Sequence, residues 1–190
     1  MIDQLIEYDR ELFLYLNGLG TTTWDGFWMF YTTKFNWIPF YAFLGYLMYK
    51  RLNSKMFVLT LVVIALMITF TDQITNIFKH GFERFRPCHQ DGVSEYMRLV
   101  KDHCGGRFGY FSGHASNSMS LAIFIGLKLR SNYKFILPFM IVWATAMGYS
   151  RIYIGVHYPL DVVSGMVFGV FSGLLFFKLD SYIQSRFQLK

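Results

Sequence analysis

Residues 56–70 read MFVLTLVVIALMITF, a run with nothing more polar than Thr60 and Thr69. A helix with one face in water breaks its apolar positions with polar residues every three or four places. This run does not, so its surroundings are apolar on every side. It lies inside a longer segment, about 55–78, whose length at ~1.5 Å per residue matches a hydrocarbon core about 30 Å thick. Four further segments have the same character, at about 36–50, 113–129, 134–150 and 158–178. The pattern predicts an all-α fold, a polytopic transmembrane helix bundle with five spans, forming a single domain over residues 1–190.

The first 35 residues mix Leu5, Ile6, Leu12, Phe13, Leu16 and the run Trp24, Phe27, Trp28, Phe30 with acids. They predict two short interfacial helices broken at Asn17, Gly18 and Gly20. A sixth span built from this region is the alternative. Asp3, Glu7, Asp9 and Glu11 stand where a cleavable signal peptide carries its basic start, so insertion is expected to rely on internal helices.

Of the 190 residues, 54% are hydrophobic, 20% aromatic and only 16% charged, above the apolar share usual in soluble chains. The net charge of +6 forms neither a tract nor a stripe on polar surface, which argues against nucleic acid. It suits a protein that meets anionic lipid. With five spans, residues 79–112 and 151–157 face one side. The links with Lys50, Arg51, Lys55 and Lys128, Arg130, Lys134, and the tail with Lys178, Arg186 and Lys190, face the other. The basic links make that second side cytoplasmic. The expected location is the cytoplasmic (inner) membrane, with residues 79–112 on its outer, periplasmic side.

Cys88 and Cys104 both fall in the outer loop, where an oxidising compartment favours a disulfide between them. With His89 and His103 nearby they lack a recognised zinc spacing. Gly165, Gly169 and Gly173 recur every four residues along the last span. They give it a small-residue face for close packing within the bundle first and for a dimer second.

Three polar clusters stand at the outer ends of these apolar helices, where charge is costly and needs a reason. The first is Lys79 with Arg86 and Pro87. Seven residues is close to two turns, so both cations share a face if the helix continues that far, and together they suit a phosphate. Taken alone, the pair also fits two cations reaching for headgroups. The second cluster is Phe111, Ser112, Gly113 and His114. Gly113 lets backbone approach an anion, the N–H groups at a helix start are donors, and His114 is a candidate proton donor to a departing alkoxide. An N-cap serine followed by an interfacial histidine is the plainer reading.

The third cluster is Ser150, Arg151, His157 and Asp161. Pro159 fits the first turn of a helix, which brings His157 and Asp161 together. A carboxylate on one ring nitrogen fixes the tautomer and leaves the other nitrogen free to attack, although an interfacial histidine and a dipole-favoured aspartate would read the same alone. Jointly the clusters supply a nucleophile, its orienting carboxylate, an acid, three cations and an anion nest, which is the set that phosphoryl transfer needs.

In this order and spacing the residues resemble the type 2 phosphatidic acid phosphatase superfamily, which includes the vanadium haloperoxidases. The family pattern is Lys, six residues, Arg-Pro; then Pro-Ser-Gly-His; then Ser-Arg, five residues, His, three residues, Asp. It is met at every position from Lys79 to Asp161 except Phe111, where the family commonly has proline. The resemblance implies that His157 attacks phosphorus, Asp161 orients it and His114 protonates the leaving group. It further implies that Lys79, Arg86, Arg151, Ser112 and Gly113 hold the phosphate, without metal or other cofactor. Its haloperoxidase branch is soluble and does not fit five apolar spans.

The expected activity is that of a lipid phosphate phosphatase working through a phosphohistidine. Undecaprenyl diphosphate is the favoured substrate, with lipid A and phosphatidylglycerol phosphate as alternatives. A non-enzymatic phospholipid binder or transporter would have no use for the His157–Asp161 pair. Met97, Arg98, Phe108 and Tyr110 are candidates for choosing headgroup and tail. Asp72, Asn76 and Lys79 follow one helical face, and Asp72 is expected to be a buried acid that positions Lys79 or another cation of the site.

Overall fold

The computed structural model describes residues 2–186; Lys190, counted above with the basic tail, lies outside them. The described residues form seven α-helices: α1 (Ile2–Gly18), α2 (Thr22–Thr32), α3 (Ile38–Tyr49), α4 (Ser54–Phe82), α5 (Gly113–Leu129), α6 (Ile136–Tyr153) and α7 (Pro159–Arg186). Their only extended pairing is an isolated antiparallel bridge between Phe85 and Phe108. The five segments read as spans correspond to α3 to α7. Two of these, α4 and α7, are long and apolar enough by length and composition to cross a membrane. Val58, Val62 and Leu66 of α4 and Val163, Val167 and Phe171 of α7 are exposed. An apolar flank of that kind suits a membrane and is costly in water.

Helix α4 starts at Asn53, whose side chain accepts from Met56 N at 2.9 Å and so satisfies one free N–H of the first turn. It ends at Phe82, because Glu83 adopts the left-handed conformation (φ 49°) and returns its N–H to Lys79 O. The stop comes four residues before Arg86. Periodicity therefore does not bring Lys79 and Arg86 together, as the sequence spacing had implied; the turn at Glu83 sends the chain into a loop that brings Arg86 back.

Helix α5 is the axis of the bundle, with Ala115, Ala122, Phe124, Ile125 and Leu129 buried among α4, α6 and α7. Its contact with α7 is close because α7 presents glycines. A Cβ on Gly165, Gly169 or Gly173 would come within 2.6, 2.6 and 2.7 Å of the carbonyls of Ser112, Ser116 and Ser120. The two helices run parallel, and each glycine receives the backbone of a serine one turn further along. This is the packing role expected of the three glycines. At the far end of the same helices Lys128 of α5 pairs with Asp180 of α7. Asp180 is fully buried and also accepts from Thr60 Oγ1 of α4 at 3.1 Å. A buried carboxylate in apolar surroundings requires such partners.

The amino-terminal region folds as two helices broken at residues 19–21, close to the expected break. Asn17 ends α1 with its side chain buried in a backbone clamp. Its amide donates to the carbonyls of Arg98 (3.0 Å), Ile152 (3.2 Å) and Tyr153 (2.9 Å), and its oxygen accepts from Arg98 N (2.7 Å). An asparagine read as a helix breaker is the residue that ties α1 to the outer loop and to the end of α6.

Candidate active site

The end of α4, the start of α5, the end of α6 and the start of α7 meet at one end of the bundle and bring the three polar clusters together. Lys79, Arg86, Gly113, His114, Arg151 and His157 all line one cavity of about 600 Å³. His157 is 2% exposed, and its Nδ1 lies 3.3 Å from Oδ2 of the fully buried Asp161, the meeting across a helix start that the sequence predicts. The same Oδ2 accepts from Tyr158 N at 3.1 Å. Burial pushes the imidazole well below its ordinary range, and the charges of Arg86, Arg151 and Lys79 push it the same way. The ring is therefore neutral, the state in which a nitrogen lone pair can attack.

Arg86 is extended ahead of Pro87 (φ −70°, ψ 157°), as a residue before proline prefers. Its guanidinium is held by carbonyls: Nε donates to Phe108 O at 3.2 Å, and Nη1 to Cys104 O and Val156 O at 3.5 Å. Arg151 is buried and donates from Nη1 to Thr32 Oγ1 at 2.5 Å. Among the described residues, two buried donors of the site have no protein partner, Arg151 Nε and Ser112 Oγ. Ser112 stands at the N-cap position, yet its hydroxyl does not cap α5, which sets aside the plainer reading of that cluster. Its N–H donates to Asp161 O at 2.9 Å and ties the two helix starts together. Three cations against the carboxylate of Asp161 leave a positive excess that matches a phosphate dianion.

Phe111, where the family pattern has proline, is 3% exposed and packs between Phe78 and Phe168, with ring centroids 5.1 and 5.2 Å away. Aromatic packing holds the loop there. Cys88 and Cys104 are paired as a disulfide with Cα atoms 6.2 Å apart. The pairing engages both thiols of the cluster Cys88, His89 and Cys104.

Other expectations are corrected. Asp72 lines the cavity but is exposed, not buried, and among the described residues it makes no hydrogen bond or ion pair with Lys79. One helical face does carry both residues, but that face borders the cavity and not a neighbouring helix. Met97, Arg98, Phe108 and Tyr110 are not among the residues lining this cavity. Arg98 is engaged by Asp25 at 2.9 Å, Phe108 stacks on Phe85, and Tyr110 donates to Ser164. The walls below the site come instead from α3, α4 and α5, through Tyr41, Met48, Leu61, Ile64, Ile68 and Leu121, with Lys34 as a further cation.

Three residues of the site region escaped the sequence reading. Arg84 bridges Asp161 and Asp9. Gly109 presses its backbone on the His157–Asp161 pair, so that a Cβ there would lie 3.0 Å from Asp161 Oδ2 and 3.5 Å from His157 Nδ1. Only the excess of glycine and arginine in residues 84–109 hints at Arg84 and Gly109, and nothing in the sequence singles out Asp9.

Fold and site together define a phosphatase of lipid phosphates. The chain belongs to the PAP2 superfamily, whose model matches residues 56–185. It is 37% identical over 190 residues to a lipid A 4'-phosphatase of Bacteroides thetaiotaomicron, covering 99% of this chain and 84% of the relative. It is 34% identical to a lipid A 4'-phosphatase of Porphyromonas gingivalis, over 97% of this chain and 78% of that one. An undecaprenyl-diphosphatase of Sulfolobus acidocaldarius is 28% identical, over 94% and 82%. Among solved structures, the PAP2-type phosphatidylglycerolphosphate phosphatase of Bacillus subtilis shares the fold, with a TM-score of 0.74 at 20% identity over 95% of this chain and 88% of that one. LpxE of Aquifex aeolicus does so with a TM-score of 0.68 at 23% identity, over 88% and 93%.

Proposed function

We propose that this protein removes a phosphate from lipid A through a phosphohistidine on His157. The observation that carries the chemistry is the buried His157–Asp161 pair at a cavity lined by Lys79, Arg86, Arg151 and His114. Asp161 holds Nδ1 and leaves Nε2 to attack phosphorus as the bond from phosphorus to the sugar oxygen breaks. His114 gives the departing oxygen its proton, a contribution of about 10²–10⁴ in rate for a placed general acid. Lys79, Arg86 and Arg151, with the Ser112 hydroxyl and the Gly113 amide, neutralise the equatorial oxygens. Water then attacks the phosphohistidine, surrenders a proton to His114, and releases phosphate and free imidazole. Asp161 steadies the imidazolium between the two steps.

The substrate preference moves from undecaprenyl diphosphate to lipid A, because the two relatives matched over nearly the whole chain at 37% and 34% identity are lipid A 4'-phosphatases. The apolar walls below the cations suit acyl chains. The five-span reading, with the site on the periplasmic side of the inner membrane, is supported by the disulfide at the site end and the basic links at the other.

The test is phosphate release by the detergent-solubilised protein in excess chelator from lipid A, undecaprenyl diphosphate and phosphatidylglycerol phosphate, with His157→Ala alongside. Release from lipid A with the highest kcat/KM, lost in the variant, is expected. Preference for undecaprenyl diphosphate would overturn the substrate assignment, and activity that survives His157→Ala would overturn the mechanism.

A further inference from the structure

We propose that Asp9 and Arg84, both outside the family motif, are positioning residues that fix Asp161 and through it the ring of His157. The inference rests on the reading of His157 as nucleophile.

The two oxygens of Asp161 divide their work. Oδ2 faces His157 Nδ1 and Tyr158 N, whereas among the described residues Oδ1 accepts only from Arg84 Nη1, at 2.8 Å. The second terminal nitrogen of Arg84 donates to Asp9 Oδ2 at 2.5 Å. Asp9, itself 6% exposed, uses its remaining oxygen to accept from Leu160 N at 2.8 Å. Leu160 lies in the first turn of α7, where N–H groups have no partner within the helix, so Asp9 caps α7 from another helix. The result is a closed ring from Asp161 through Arg84 and Asp9 to Leu160, the residue before Asp161. A carboxylate tied into such a ring cannot rotate away from the imidazole.

The clamp is braced on its apolar side. The Arg84 guanidinium lies 4.4 Å from the centroid of the Tyr158 ring, and that ring packs edge-on against Phe13 of α1 at 5.3 Å. The Arg84 carbonyl accepts from Gly109 N at 2.8 Å, which sets the backbone pressed against His157 and Asp161. Charge follows the same plan. One guanidinium shared by two carboxylates leaves one negative charge beside His157, matching the imidazolium that forms on attack. Without Asp9, Arg84 would spend its whole charge on Asp161 and weaken that match. Neither Asp9 nor Arg84 lines the site cavity, so neither is placed to touch substrate.

The experiment is steady-state hydrolysis of lipid A by wild type, His157→Ala, Asp9→Asn, Arg84→Lys and Asp161→Asn, and by the Asp9→Asn/Asp161→Asn pair, with thermal midpoints for each. Hydrolysis by wild type, lost in His157→Ala, upholds the underlying reading by itself. Asp9→Asn is then expected to lower kcat about 10- to 100-fold, the scale of a slightly misplaced catalytic group, with KM changed by less than about 2-fold. On the Asp161→Asn background the same change should cost less than about 3-fold, because the group it positions is already disabled. Unchanged kcat in Asp9→Asn, or an equal loss on both backgrounds, overturns the proposal. Should Asp9→Asn fail to fold, Arg84→Lys carries the test, since a single ammonium cannot bridge two carboxylates as the guanidinium does.

Discussion

Gly169→Ala puts the contact between α5 and α7 to a direct measurement. The new Cβ would stand 2.6 Å from Ser116 O and 2.8 Å from Met119 Cβ, and both obstacles sit close to the α5 backbone, unable to swing aside. The helices must separate by roughly 0.5–1 Å to restore ordinary contact, and overpacking of this kind costs about 1–3 kcal/mol. Alanine recovers about 0.5–1 kcal/mol by its better helix propensity. The middles of the two ranges leave a net loss of about 1 kcal/mol, or about 2–4 °C in unfolding midpoint for a chain of this size. Gly26→Ala in α2, where nothing lies within 4 Å of a Cβ, is the control and should gain about 0.5–1 kcal/mol. Thermal unfolding in detergent, followed by tryptophan fluorescence, reads both. A Gly169→Ala protein as stable as wild type, or stabilised like Gly26→Ala, would refute the close-packing argument.

Further outcomes follow from the site and from the disulfide beside it. Burial holds His157 well below its ordinary 6.5, so the ring proposed as nucleophile stays neutral in mild acid. The acid limb of kcat/KM assigned to it should lie below pH 6.5, once the substrate's own ionisation has been titrated separately. Stability should decline on acidification as well: below pH 6.5 the unfolded histidine takes up a proton that the folded one refuses, so stability falls as pH falls through that value. Cys88→Ser opens a loop spanning a sequence separation of 16 and should cost about 3 kcal/mol of stability. It should also raise KM, because the Cys104 carbonyl that braces Arg86 loses its tether.

What could be read from the sequence was whatever chemistry ties to spacing. His157 and Asp161 meet because four residues across a helix start can place them so, and the helices α3 to α7 follow from runs of apolar residues. Lys79 and Arg86 were paired correctly for a reason that did not hold, since the left-handed turn at Glu83 is a single backbone event that periodicity does not reveal. Nothing in the sequence sets Arg84 apart from the other basic residues of its loop, or Asp9 from the neighbouring acids Asp3, Glu7 and Glu11. They lie 75 positions apart, and only the tertiary fold makes them partners. The expected burial of Asp72 is not met for the converse reason, because a shared helical face does not say whether that face meets another helix or a cavity.

The ion pair of Lys128 and Asp180 stands at the opposite end of the bundle from the chemistry. Fourteen residues of α5 separate it from His114, about 21 Å of helix. Two parallel rods pinned at the far end and indexed turn by turn by glycines against serines behave as a ruler. A slip of one notch, about 5.4 Å, would carry Ser112 and His114 away from His157 and Asp161 while leaving every helix intact. The distance between His114 and His157 is thus a property of assembly: on the mechanism proposed here, a molecule with perfect secondary structure and the wrong notch would be a well-folded, inert protein.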